Sequence, residues 1–279
     1  MNDKISETAI AIASLRALSN YETDVNVQSK DGLAEIFLPD DRQTALRTYS
    51  SRENIKKYIP QGMYEYVIAR TKYFDSVFNE AIQQSIEQIV LLGAGFDSRP
   101  YRFHPLITTT RIFEVDMKPT QDHKLGCLRK HHVEIHPNIS FIPMNFETDD
   151  PITMLGQYGY STSKQTLFFG EGVTFYLSHD TVSRMLKRLR DYSGGRSWVC
   201  FDFQTIQHER DLIQTGLQDE VIKFGIVSGE IDNFVYDHQY HVIEHITPGD
   251  MERRFLTLQN GELFGRIMPM MNFLLIEHK

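Results

Sequence analysis

The feature that most constrains this chain is a short apolar run, Glu87-Gln-Ile-Val-Leu-Leu92, that ends in Gly93-Ala-Gly95. An unbroken apolar run of this length reads as a strand buried on both faces, and the paired glycines read as a tight turn at its carboxyl end. Four further strand-like runs follow: Thr110 to Asp116, Asn138 to Pro143, Gln165 to Phe169 and Arg196 to Phe203. Helical stretches separate several of them. The clearest is Ser178 to Tyr192, where Val182, Met185, Leu186 and Leu189 share one face. Strands alternating with helices predict an α/β fold, a mostly parallel sheet with helices on both faces. Upstream, Ile5, Ala9, Ile12 and Leu15 form a helical stripe with Ser6 as a cap, and a second helix runs from Tyr64 to Phe78. The first 80 or so residues therefore read as mainly helical. Residues 207–240 read as helix and loop, and Gly265 to Met268 with Met271 to Ile276 as a closing pair of strands.

In an open parallel sheet, ligands bind beyond the carboxyl ends of the strands. Gly93 and Gly95 follow the first strand and let backbone approach a ligand closely. Asp116 ends the second, about 20 residues further on, where such folds place an acid on ribose hydroxyls. Asn145 follows the third strand, and Glu171, between two glycines, follows the fourth. A glycine turn and three polar groups thus converge on one crevice. A dinucleotide site prefers a third glycine where this chain has Ser98, and here Asp97 stands close to the place of a diphosphate. An acidic crevice suits a cation, and S-adenosyl-L-methionine carries a sulfonium, an ammonium, a ribose diol and no phosphate.

Composition narrows the partners. The 279 residues hold 29 Lys+Arg against 37 Asp+Glu, a net charge of −8, which argues against bulk binding to nucleic acid or an anionic membrane. Two separated cysteines, Cys127 and Cys200, indicate no disulfide framework and make a cytoplasmic location the expectation. The first residues lack the pattern of a secretory signal, and no window approaches the roughly 18 apolar residues of a membrane span.

The run Leu91-Leu-Gly-Ala-Gly-Phe-Asp-Ser-Arg-Pro-Tyr-Arg102 resembles the signature of the leucine carboxyl methyltransferase-like family. That family includes protein phosphatase methyltransferases and bacterial O-methyltransferases of polyketide and related small-molecule pathways. Thr8-Ala9 with Arg16-Ala17, Asp31 to Leu38, Arg70-Thr71, Phe113 to Asp116, Pro119 with Lys124, and Glu171-Gly172 through Tyr176-Leu177 extend the likeness over residues 8 to about 205. It implies a Rossmann-like class I methyltransferase core with a seven-stranded sheet over residues 81–279. A helical N-terminal cap over 1–80 and a lid insertion at about 207–240 complete that expectation.

Roles are implied position by position. Arg70 resembles the arginine that pairs with the carboxylate of the cofactor's methionine, a match for a guanidinium fork. Gly93 and Gly95 resemble the floor beneath the methionyl part, Asp116 the acid on the ribose, and Glu171 a carboxylate facing the amino group. Asn145-Phe146 stands where the family usually has Asp-Leu beside the adenine. The asparagine carbonyl still accepts the adenine amino hydrogens, and Phe146 is placed to pack on the base. The resemblance implies S-adenosyl-L-methionine as cofactor and a methyl acceptor, a carboxylate or hydroxyl on a small molecule. Tyr176 and His179 are the candidate catalytic residues, His179 as a general base for a phenol acceptor and Tyr176 as a substrate contact, with core packing an equal reading for Tyr176.

Other readings stay open. They are a protein C-terminal carboxyl methyltransferase, a catalytically silent cofactor binder, and a nicotinamide-dependent oxidoreductase, the last disfavoured by Asp97 and Ser98. The histidine clusters His238, His241, His245 and His131, His132, His136 read as solvated or hydrogen-bonded groups, with no metal expected.

Overall fold

The computed structural model describes residues 5–146, 148–208, 211–212 and 221–279. The elements run α1 (Glu7–Ser19), α2 (Asp40–Leu46), α3 (Tyr49–Lys56), α4 (Met63–Gln83), β1 (Gln88–Leu92), α5 (Arg99–Arg102), β2 (Arg111–Asp116), α6 (Lys118–Lys130) and β3 (Ile139–Pro143). They continue with α7 (Pro151–Gln157), β4 (Thr166–Gly170), α8 (His179–Asp191), β5 (Trp198–Ile206), β6 (Gly225–Val227), α9 (Ile231–Asp237), β7 (Tyr240–Ile246), α10 (Pro248–Phe255) and β8 (Met271–His278).

The sheet has the order β3-β2-β1-β4-β5-β8-β7, with the short β6 paired to β5 off this path. Strands β1 to β6 pair in parallel, and β8 runs antiparallel between β5 and β7. Eight strands thus stand where seven were expected, the addition being β6 inside the stretch read as helix and loop. The closing pair also differs: β8 pairs with β7, and Gly265 to Met268 form no strand. The β7 sequence, Tyr-His-Val-Ile-Glu-His-Ile, carries a bulge between Val242 and Glu244, which blurs the alternation that would announce a strand. The lid expected over 207–240 falls partly on residues 209–210 and 213–220, outside the described residues.

Alternation along the strands divides the core in two. Ile89, Leu91, Leu167, Phe169 and Phe273 face one cluster, shared with α1 and α4. Val90, Leu92, Phe113, Phe168, Phe201 and Leu274 face the other, shared with α8. α4 is held on its face by aromatic contacts, with Tyr73 stacked on Phe273 at 5.1 Å and Phe74 against Phe169 at 5.3 Å. α8 begins on a Ser178 side chain that accepts from Thr181 N–H, as the sequence suggests. Ser6 caps α1 in the same way, accepting from Ala9 N–H.

β2 is fixed by a buried ion pair. Lys124 of α6 reaches Glu114 at 2.6 Å, both side chains are almost wholly buried, and Tyr101 donates to the same carboxylate at 2.7 Å. This clamp sets the height of Asp116, two residues along the strand. Lys124→Ala leaves a buried carboxylate without its cation and is expected to lower folding stability by about 3 kcal/mol at pH 7. Replacing both partners by apolar residues of similar size should recover most of that loss. Urea denaturation of the three proteins checks this, and a loss below about 0.5 kcal/mol in the single variant would refute the clamp.

Candidate functional site

The carboxyl ends of β1, β2 and β4 form the crevice that the sequence marks. After β1 the backbone turns through Gly93 at φ +61° and Gly95 at φ +44°, conformations that side chains rarely adopt. A Cβ on Gly93 would lie 2.6 Å from Val173 Cγ2, so this glycine also makes room for the turn after β4. Asp116 closes β2, and its carboxylate accepts N–H bonds from Gly95 and Met117. The glycine turn and the acid are thus one hydrogen-bonded unit. Burial raises the Asp116 carboxyl above the ordinary range, against the pull of these two N–H groups.

Helix α1 lies over this turn. Ala9 Cβ is 3.6 Å from where a Cβ on Gly95 would stand, and Arg16 Nη2 donates to the Phe96 carbonyl at 2.6 Å. Thr8 Oγ1, one residue before Ala9, is buried with no hydrogen-bond partner among the described residues.

The other end of the crevice is an ion-pair network. Arg70 and Tyr66, four residues apart on α4, point to the same side of the helix. Arg70 Nη1 reaches Asp202 at 3.1 Å and Tyr66 donates to the same carboxylate at 2.5 Å, while Gly172 N–H donates to its other oxygen at 2.7 Å. Arg70 Nε lies 3.0 Å from Glu171, close enough for attraction but without an aligned hydrogen bond. Glu171 accepts from Arg99 at 2.7 Å, and Arg99 also holds Asp97 and Asp75, each at 2.8 Å. Arg102, Asp31 and Arg16 extend the chain of contacts to α1.

These charges set one another's ionisation. Burial opposes the charge on Glu171, but Arg99 and Arg70 together hold its carboxyl below the usual range. Asp97 is lowered likewise, burial being outweighed chiefly by Arg99. Asp202 is raised, because complete burial exceeds the pull of Arg70, Tyr66 and Gly172.

The structure therefore brings Arg70 and Glu171 into contact, and Gly95 onto Asp116. Asn145 opens the turn after β3, beside the Asp116 strand end, with its backbone bonded to Thr148 and Asp149. Phe146 is half-buried and packs against the α8-side core. Tyr176 is partly buried and packs against the other core. His179 is the first residue of α8, eight positions beyond Glu171. It lines a cavity of about 570 Å³, with Nε2 3.0 Å from the Gly225 carbonyl.

Sequence reasoning missed Asp202, Arg99 and the Asp31–Arg16–Arg102 contacts. The signal for Asp202 was present: a lone acid inside the apolar strand Trp198-Val-Cys-Phe-Asp-Phe203 needs a buried cation.

No helix among the described residues is long and apolar enough to cross a membrane. Among the same residues no group of three or more metal-ligating side chains converges.

Comparison with known proteins agrees with this geometry. The family model of leucine carboxyl methyltransferase matches residues 9–190. A Streptomyces coelicolor protein provisionally named an S-adenosyl-L-methionine-dependent methyltransferase is 29% identical over 202 residues, 68% of this chain and 66% of the relative. A Bacillus subtilis protein of the same provisional name is 24% identical over 234 residues, 80% of this chain and 77% of the relative. The chain thus spans just under two thirds of the first relative's length. In fold it resembles a Streptomyces avermitilis DUF574 family protein, with TM-score 0.62 at 11% identity over 95% of this chain and 97% of that one. A Thermobifida fusca protein provisionally named a methyltransferase gives TM-score 0.58 at 15% identity, over 100% of this chain and 96% of that one.

If Asp116 holds a ribose diol as a carboxylate, its ionisation governs cofactor affinity. Because its pKa is raised in the folded protein, protonation on acidification begins above the ordinary 3.8. Affinity for S-adenosyl-L-methionine is then full above the raised pKa and falls as pH drops through it. Calorimetric titrations across the acidic range check this. Asp116→Asn should flatten the acid limb, and an unchanged limb would assign the titration to another group. The family match over 182 residues, with the glycine turn, Asp116 and the Arg70–Glu171 pair in one crevice, leads to one conclusion: the chain belongs to the leucine carboxyl methyltransferase family, whose cofactor is S-adenosyl-L-methionine.

Proposed function

We propose that this protein is an S-adenosyl-L-methionine-dependent methyltransferase that methylates an oxygen, a carboxylate or hydroxyl, of a small molecule. The observation that carries the reading is the crevice with two different ends. At one end Asp116 joins the glycine turn, and at the other Arg70 and Glu171 meet.

When bound, the cofactor supplies an activated methyl: a C–O bond forms to the acceptor as the C–S bond breaks, and the electron pair leaves with sulfur. The protein's part is positioning. Asp116 accepts ribose hydroxyls, and the Gly93–Gly95 backbone forms the floor. Arg70 takes the methionine carboxylate, and Glu171 takes the amino group. Asn145 and Phe146 border the adenine. Asp202 and Arg99 hold Arg70 and Glu171 in place, so the site needs little rearrangement around the reacting atoms. A carboxylate acceptor is already ionised at neutral pH and needs no base, whereas a hydroxyl gives up a proton. The helical first 80 residues serve as a cap. The acidic net charge argues against nucleic acid or an anionic membrane as partner, and a small-molecule acceptor and a cytoplasmic setting are part of the proposal.

Titration with S-adenosyl-L-methionine, run beside NADH, is the direct test. Micromolar binding of the sulfonium cofactor alone supports the reading, and binding of NADH alone overturns it. Asp116→Ala should weaken cofactor binding by about 2–4 kcal/mol, roughly 30- to 700-fold, by removing two charge-assisted hydrogen bonds. Formation of S-adenosyl-L-homocysteine with a panel of acids and phenols then separates a methyltransferase from a silent binder.

A further inference from the structure

The amino-acid tail assigned to Arg70 and Glu171 carries its carboxylate and its ammonium on one carbon, so its two partners must be held at a fixed spacing. The group that touches both sides of this clamp is Asp202. One of its oxygens accepts from Arg70 Nη1 at 3.1 Å, and the other accepts from the N–H of Gly172, the neighbour of Glu171, at 2.7 Å. A Cβ on Gly172 would stand 3.3 Å from Arg70 Nη1, so the guanidinium lies directly against that turn.

Tyr66 fixes Asp202 in turn. Its hydroxyl donates at 2.5 Å to the same oxygen that Arg70 reaches, and it is the shorter contact of the two. A carboxylate turns readily about its terminal bond unless both oxygens are engaged. Here Gly172 holds one oxygen and Tyr66 holds the other most closely. Without the Tyr66 hydroxyl, that second oxygen would keep only the longer bond from Arg70.

The tyrosine ring is itself immobilised. It is 1% exposed, lies against Phe273 at 5.7 Å, and carries the Arg70 guanidinium over its face at 5.4 Å. Burial raises the hydroxyl well above its ordinary range, so it remains a donor. Because its proton is given to Asp202, Tyr66 acts on a ligand of the crevice through Asp202 and Arg70.

We propose that Tyr66 is a positioning residue: by locking the Asp202 carboxylate it fixes the Arg70–Glu171 clamp, and so gives the crevice its preference for ligands that carry the amino-acid tail. The proposal rests on the methyltransferase reading above.

The test titrates the full-length protein with two ligands, S-adenosyl-L-homocysteine and methylthioadenosine, which shares the adenosine and the thioether but lacks the amino-acid tail. The unmodified protein is expected to prefer the first by about 30-fold or more. Tyr66→Phe keeps the ring and removes only the hydroxyl. It should bind S-adenosyl-L-homocysteine about 10-fold more weakly and methylthioadenosine within about 2-fold of the unmodified protein. Asp202→Asn should show the same split, and the double variant should lose no more than the larger single loss, since both act through one carboxylate. Should Asp202→Asn fail to fold, the two-ligand split in Tyr66→Phe decides alone. Unchanged S-adenosyl-L-homocysteine affinity in Tyr66→Phe, equal losses for both ligands, or additive losses in the double variant would overturn the proposal. An unmodified protein that binds neither ligand would instead refute the underlying methyltransferase reading. One that binds both equally would refute the assignment of the tail to Arg70 and Glu171, and the proposal with it.

Discussion

The contact on which the candidate site depends is that of Glu171 with two arginines, Arg70 from α4 and Arg99 from the start of α5. Three separate pieces of chain meet at one carboxylate. Each ion would be costly to bury alone, by several kcal/mol after relaxation, and each is tolerated because its partners are fixed. Such a network contributes less to net stability than an apolar core of the same volume would. Its value lies in geometry, because a misplaced helix would strand a buried charge. α4 is consequently held at one height against the sheet, with the Tyr73–Phe273 and Phe74–Phe169 contacts giving adhesion and Asp202 giving register.

Asp202 shows how strand alternation serves this purpose. Along β5, Trp198 and Cys200 face the α4 side while Val199, Phe201 and Phe203 face the α8 side. The same period places Asp202 on the α4 side, below Tyr66 and Arg70. Its second oxygen takes Gly172 N–H, so one buried carboxylate orients both an arginine of the crevice and the turn that presents Glu171. A shift of one residue in β5 would send this acid to the opposite face.

Much of the fold was legible because its signals are local. The strands β1 to β4 announce themselves as apolar runs within one residue of their ends, β5 runs three residues past its expected end, and Ser6 and Ser178 mark helix starts by their side chains. The β6–β7 region was not legible in this way. β6 has three residues, and the bulge in β7 places polar His241, Glu244 and His245 without clean alternation. Its pairing with β8 is a property of the finished sheet. At the site, Gly93, Gly95, Asp116 and Glu171 could be read because each sits at a strand end. The pairing of Glu171 with Arg99, and of Arg70 with Asp202, joins residues 72 and 132 positions apart and needs the assembled sheet to appear.

The network also carries an uneven charge. Arg16, Arg70, Arg99 and Arg102 face Asp31, Asp75, Asp97, Glu171 and Asp202, one acid more than the arginines neutralise. Asp116 adds another carboxylate at the far end of the crevice. Burial pushes the Asp116 and Asp202 carboxyls upward, whereas at Glu171 and Asp97 the same burial is outweighed chiefly by Arg99, which pulls them down. A neutral or anionic ligand would leave that excess uncompensated. In the proposed reading, a sulfonium bound in this crevice would bring a positive charge to these acids, favour their ionised forms and gain attraction from them.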